Sequence, residues 1–178
     1  PLSSQKGYVA TGAVGNTVYP RGWIYTCHHC RKPTYFGPSE EQIPAPAPGN
    51  SIKKVPELLN ELYEQIRRAM GVNAYALAVM GCRKILMAIA VQEGAKEGEN
   101  YLFYVDHIAE MGLVPPRARG MLDKVRKLGN AENHKIAMAT QEEAVELLQF
   151  LEMILKINYE YATDEPKGDG SETGGEGT

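Results

Sequence analysis

Cysteine is scarce in this 178-residue chain: Cys27, Cys30 and Cys82 are its only three. Three thiols are too few for a disulfide scaffold. The chain also lacks a phosphate-binding P-loop, a GxGxxG fingerprint, HExxH and GxSxG. The common nucleotide-dependent and hydrolytic enzyme classes therefore have no motif to stand on. No internal repeat appears at solenoid periods. No secretory signal is visible either. The most apolar stretch, Val72–Val91, carries Arg83 and Lys84 at its centre. Each would cost about 2.5–3.5 kcal/mol at a bilayer midplane. The stretch reads as a buried helix, and the expectation is a cytoplasmic protein with no membrane partner.

What is present is unevenly distributed. Residues 1–50 hold 6 Gly and 7 Pro, against 7 Gly and 3 Pro in residues 51–162. Residues 163–178 hold 5 Gly and 5 acids with a single Lys. Four zones follow: a β-rich CxxC head (1–42), a Pro-rich linker (43–54), a helical domain (55–162) and an acidic tail (163–178). The tail has nothing to bury and is expected to be disordered. Ile43–Asn50 (IPAPAPGN) reads as a stiff polyproline-type spacer.

The helical domain shows its periods clearly. After Pro56, the residues Leu58, Leu59, Leu62, Tyr63, Ile66, Ala69 and Met70 recur at three- and four-residue spacing. That spacing predicts one apolar stripe, ended by Gly71. A second helix, about Asn73–Glu93, is apolar nearly all round, as a central helix would be. A third is predicted from about Asn100 to Met111, with Leu102, Phe103, Val105, Ile108 and Met111 inward. Pro115 and Pro116 open a fourth, with Met121, Leu122, Val125 and Leu128 on one side and Gly129 interrupting it. Thr140 with Glu143 three residues on is a capping-box signature for the last helix. Ala144, Leu147, Leu148, Leu151, Ile154 and Leu155 carry that helix to about Ala162. The fold class is mainly α: an antiparallel bundle of four to five helices with a small N-terminal β-hairpin head.

In the head, Thr17–Thr26 is rich in β-branched and aromatic residues and reads as a strand. Cys27-His28-His29-Cys30 and Thr34–Gly37 follow. Strand, CxxC knuckle, strand is the shape of half a zinc ribbon. Cys27 and Cys30 supply two of the four ligands a tetrahedral zinc needs. A metal-free hairpin with two reduced thiols is the other reading. Cys82, among apolar neighbours, reads as core packing.

The segment before the last helix carries the most chemistry. From Pro115 to Lys135 six Lys and Arg face only Asp123 and Glu132. Such a local excess of positive charge points to an anionic partner: RNA, a nucleotide or another phosphate. Arg119, Arg126, Lys127, Asn130 and His134 are the candidate binding residues. In a continuous helix Arg126, Asn130 and His134 stand one turn apart. A solvated helix face with a His stabilising the helix end is the plainer reading.

These residues carry a resemblance. Val55–Tyr161 resembles the HEPN superfamily of helical bundles, and more closely the bacterial domain of unknown function 4145. The matching pieces are Val79–Leu86 in the second helix, Gly112-Leu113-Val114-Pro115-Pro116, and Arg126, Leu128-Gly129-Asn130 and His134. The CxxC head also looks like that family. The resemblance implies a homodimer. Active HEPN ribonucleases pair an Arg-Asn with a His four residues after the Asn and cleave RNA without metal. Here that pattern falls on Gly129, Asn130 and His134, with glycine in place of the catalytic Arg. Met87 stands where the closer family often has Glu, and the first CxxC pair of its head is absent. The resemblance therefore implies a non-catalytic binding or regulatory module, in bacterial or phage conflict, whose partner is RNA, a nucleotide or a defence-system protein. A divergent metal-independent ribonuclease using His134 with Arg126 or Arg83 is the first alternative. A structural dimerisation unit is the second.

Overall fold

The computed structural model describes residues 5–28, 31–39, 41–134 and 139–163, apart from the side chains at 5, 6 and 129–134. The expected tail lies almost wholly outside these residues, as do His29, Cys30 and Lys135.

The head is a four-stranded antiparallel sheet in the order β1-β2-β3-β4, larger than the expected hairpin. The strands are β1 (Gln5–Val14), β2 (Thr17–Thr26), β3 (Pro33–Phe36) and β4 (Gln42–Ile43). β1 and β2 are joined by Gly15-Asn16, a two-residue hairpin turn. β2 pairs with β3 only from Trp23 to Thr26. Tyr25 and Phe36 meet edge to face at 5.6 Å. The Tyr35 hydroxyl donates to the Arg21 carbonyl at 3.2 Å. Its ring lies over Gly22, where an added Cβ would come within 2.4 Å. The ring therefore requires glycine at that strand position.

The body is mainly helical: α1 (Glu57–Gly71), α2 (Tyr75–Gln92), α3 (Tyr101–Glu110), α4 (Arg119–His134) and α5 (Gln141–Leu155). A single 3₁₀ turn, Pro116–Ala118, leads into α4, and a π-helical turn, Lys156–Glu160, follows α5. α2 is central and touches α1, α3, α4 and α5. Among the described residues it is the one helix long and apolar enough to cross a membrane. Here its buried residues, including Val79, Cys82, Ile85, Leu86 and Ile89, face the core. α5 starts at the expected capping box: Glu143 N–H donates to Thr140 Oγ1 at 3.2 Å, and Thr140 N–H donates to Glu143 Oε2 at 3.0 Å.

Three sequence expectations need correction. Leu58 is 58% exposed; α1 buries Leu59, Tyr63, Ile66 and Met70 instead. In α3, Leu102, Phe103 and Met111 face outward, while Tyr101, Tyr104, Val105 and Ile108 are buried. Both phases of α3 fit a 3.6-residue period, and packing against α2 selects the tyrosines. Gly129 does not interrupt α4, which runs through to His134. An interior glycine costs about 1 kcal/mol relative to alanine, too little to stop an otherwise supported helix.

The Pro-rich segment is bonded along its length to the body. Ala45 N–H donates to the Gly71 carbonyl at 2.8 Å. Arg67 donates to the carbonyls of Pro48 at 2.8 Å and Gly49 at 3.0 Å. Asn50 ends the run on Glu152 of α5, which accepts its side-chain amide at 2.9 Å and its backbone N–H at 3.2 Å. The Tyr63 hydroxyl (3.3 Å) and the Lys156 ammonium also donate to this buried carboxylate.

Candidate functional site

α4 can present a polar face because its apolar positions fall on one side: Leu122 and Val125 are buried. At about 100° per residue, positions 119, 123, 126, 127, 130 and 134 share an arc of roughly 100°. The five residues singled out in the sequence thus stand on one helix face, together with Asp123. The side chains of Asn130 and His134 lie outside the described residues. Arg119 donates from Nη2 to the Ala109 carbonyl at 3.1 Å, at the C-terminal end of α3. A cation suits that position, where helix carbonyls lack intrahelical partners. Arg126 Nη2 lies 3.2 Å from Asp123 Oδ1, with both side chains at the surface. Lys127 is exposed. Lys124 points off this face and pairs with Glu146 of α5.

A second group adjoins this face. The half-buried Arg83 of α2 lies over the ring of Tyr101, its guanidinium carbon 4.2 Å from the centroid. Tyr101 is only 5% exposed, and its hydroxyl has no hydrogen-bond partner among the described residues. Burial holds this phenol above the ordinary tyrosine range. Arg83 and Arg126 pull it down, while Cys82 and Asp123 push it up. The ring therefore feels charges from both α2 and α4. Beside it a cavity of about 470 Å³ is lined by Met80, Arg83, Lys84, Met87, Glu99, Asn100 and Tyr101. Asn100 caps α3 through its side chain, which accepts from Phe103 N–H at 3.1 Å. In the sequence Arg83 enters as a charge at the centre of α2, within the Val79–Leu86 piece and in the ribonuclease alternative, whereas Tyr101 is not singled out. The available signal was a tyrosine directly after a helix-capping Asn.

In the head, Cys27 is half-buried in the knuckle, its N–H donating to the Lys32 carbonyl at 3.0 Å. Its expected fellow ligand, Cys30, lies outside the described residues. Among the described residues no three His, Cys, Asp or Glu come together.

The span from inside α1 to beyond the π-helical turn decides the family. A family model described as Domain of unknown function (DUF4145) matches residues 64–169. The chain belongs to the DUF4145 family. The match takes in Arg83, Tyr101 and the whole α4 face, and leaves out the β head. No curated protein and no solved structure matches this DUF4145 chain.

Proposed function

We propose that this DUF4145 chain is a non-catalytic, HEPN-like binding or regulatory module of bacterial or phage conflict systems. Its ligand is a phosphate-bearing one, RNA or a nucleotide, held on the α4 face beside Arg83 and Tyr101. The observation that carries this reading is the Tyr101 hydroxyl, buried with no hydrogen-bond partner among the described residues and in the field of two guanidinium groups. An unpaired buried hydroxyl costs about 1–3 kcal/mol, and a bound anion would offer it an acceptor. Arg126 supplies charge near it, and the exposed Lys127 adds charge to the same α4 face. Gly129 offers no side chain to steady a phosphate in reaction, which favours binding over cleavage.

Fluorescence anisotropy with a labelled single-stranded RNA and with a nucleotide tests this. Affinity should fall steeply as salt rises, because neutralised phosphates release counterions. Arg126→Ala should weaken it by about 1–3 kcal/mol, and His134→Ala only slightly. RNA cleavage without metal that disappears in His134→Ala would overturn the non-catalytic reading, since a general acid or base acts on the barrier.

A second reading, the dimerisation unit, is favoured by one observation. Exposed Leu58, Leu77 and Met80, with the partly buried Leu62, line adjoining grooves between α1 and α2. Exposed apolar patches of this kind mark protein interfaces. If a second copy covers them, Leu77→Glu with Met80→Glu should yield a folded monomer in sedimentation. A parent protein already monomeric at micromolar concentration would remove this reading.

A further inference from the structure

The hairpin β1–β2 reaches well past the rest of the head. β3 covers β2 only up to Trp23. Beyond it lie five further pairs, from Ala10↔Gly22 to Val14↔Thr17. At about 3.3 Å per residue, this two-stranded ribbon projects some 17 Å from the sheet. Two strands alone are at best marginally stable in water, so such a ribbon gains from a surface to lie against. Its make-up says what kind. No Asp or Glu occurs before Glu40, whereas Lys6, Arg21, Arg31 and Lys32 do. Gly7, Ala10, Gly12, Ala13 and Gly15 keep the β1 side thin.

Arg21 is the key residue. It is the extra residue of a bulge, since Thr11 pairs with Pro20 and Ala10 with Gly22. Bulges re-aim side chains. This one lays Arg21 across Gly12, where a Cβ would meet its Nε at 2.3 Å. The Arg21 guanidinium also donates to the Tyr19 hydroxyl at 3.3 Å. A cation and a phenol are thereby held together on one side of an acid-free ribbon. Arg31 and Lys32 sit at the opposite end of β2, both exposed.

The geometry points to a duplex DNA-binding element in this ribbon, separate from the α4 face. Two strands fit the B-form major groove, about 12 Å wide. Arg21 would read a base edge there, and Arg31 and Lys32 would contact the flanking phosphates. Duplex RNA is disfavoured because its major groove is too deep and narrow for side chains to read.

The experiment is anisotropy of the full chain with a labelled 20-base-pair DNA duplex and, separately, a single-stranded RNA, each over a series of NaCl concentrations. Arg21→Ala should weaken duplex binding about tenfold, as loss of one base-edge contact does. Arg31→Ala with Lys32→Ala should weaken all duplexes alike and lower the salt slope by about two. Arg126→Ala with Lys127→Ala should leave duplex binding intact while reducing RNA binding, so the two sites fail independently. Circular dichroism checks that each variant is folded. Duplex affinity unchanged by Arg21→Ala, or lost only with the α4 variants, would overturn the proposal. So would an apolar dependence in its place, with Val14→Ser and Val18→Ser dissociating an oligomer while no duplex is bound, because the ribbon would then be a protein contact.

Discussion

The guanidinium carbon of Arg83 lies 4.2 Å from the ring centroid of Tyr101, a cation–π contact where α2 meets α3. The same ring carries the buried hydroxyl that has no hydrogen-bond partner among the described residues. Removing that hydroxyl while keeping the ring separates its two roles. Tyr101→Phe should raise unfolding stability by about 1 kcal/mol, since an unpaired buried polar group is removed. The same change should weaken RNA or nucleotide binding. Urea denaturation and anisotropy read the two effects. A destabilised variant would mean that the hydroxyl is bonded in the native protein.

Glu152 governs the acid limb of stability. Burial alone would raise its pKa, but donors from Asn50 and Lys156 outweigh burial and hold it below the usual carboxylate range. A depressed folded-state pKa contributes stability above the unfolded value of about 4.5, and that contribution is lost as pH falls through the folded value. Glu152→Gln should therefore be less stable at neutral pH, by about 1–3 kcal/mol. Its stability should also fall less steeply below about pH 4.5. Thermal melts of both proteins across pH 2–7 show this; parallel curves would refute it.

Core position and surface position in the helices are separable by truncation. Leu148→Ala or Leu151→Ala, each 1% exposed, should cost about 2–5 kcal/mol. Leu102→Ala, on the outer side of α3, should stay within about 0.5 kcal/mol. A comparable loss at Leu102 would restore the phase of α3 that its leucine and phenylalanine suggest.

Cys82 should be silent to thiol reagents. It is 1% exposed, and burial pushes its thiol up to about 12. At pH 8 its thiolate fraction is on the order of one in ten thousand. A charged disulfide reagent should modify it only after urea unfolds the chain. Native labelling at Cys82, located by mass spectrometry, would show that α2 opens locally.

The legible parts of the fold were those where local chemistry and packing agree. Thr17–Thr26 is a strand by composition and in the structure, and the Thr140–Glu143 box opens α5 as its spacing implies. β1 was missed because QKGYVATGAV is rich in small residues and gains its strand character from pairing with β2. The phase of α3 differs from the expected one because Tyr101 and Tyr104, whose rings bury large area, take the inward positions in place of Leu102 and Phe103. The α4 face was legible since helix period and charge both lie in the sequence. Tyr101 was not, because its significance is a buried hydroxyl with no partner among the described residues, a property of helices meeting in space.

α2 also has a history before the fold exists. Its apolar residues emerge from the ribosome ahead of one of the helices that cover them, since α5 begins 49 positions after Gln92. At about 5–20 residues per second, the nascent segment waits several seconds for that cover. During that interval a helix with the length and hydropathy of a membrane span is presented to whatever scans emerging chains. Arg83 and Lys84, which line the cavity beside Tyr101 in the finished protein, are in the nascent chain the charges that disfavour delivery to a bilayer.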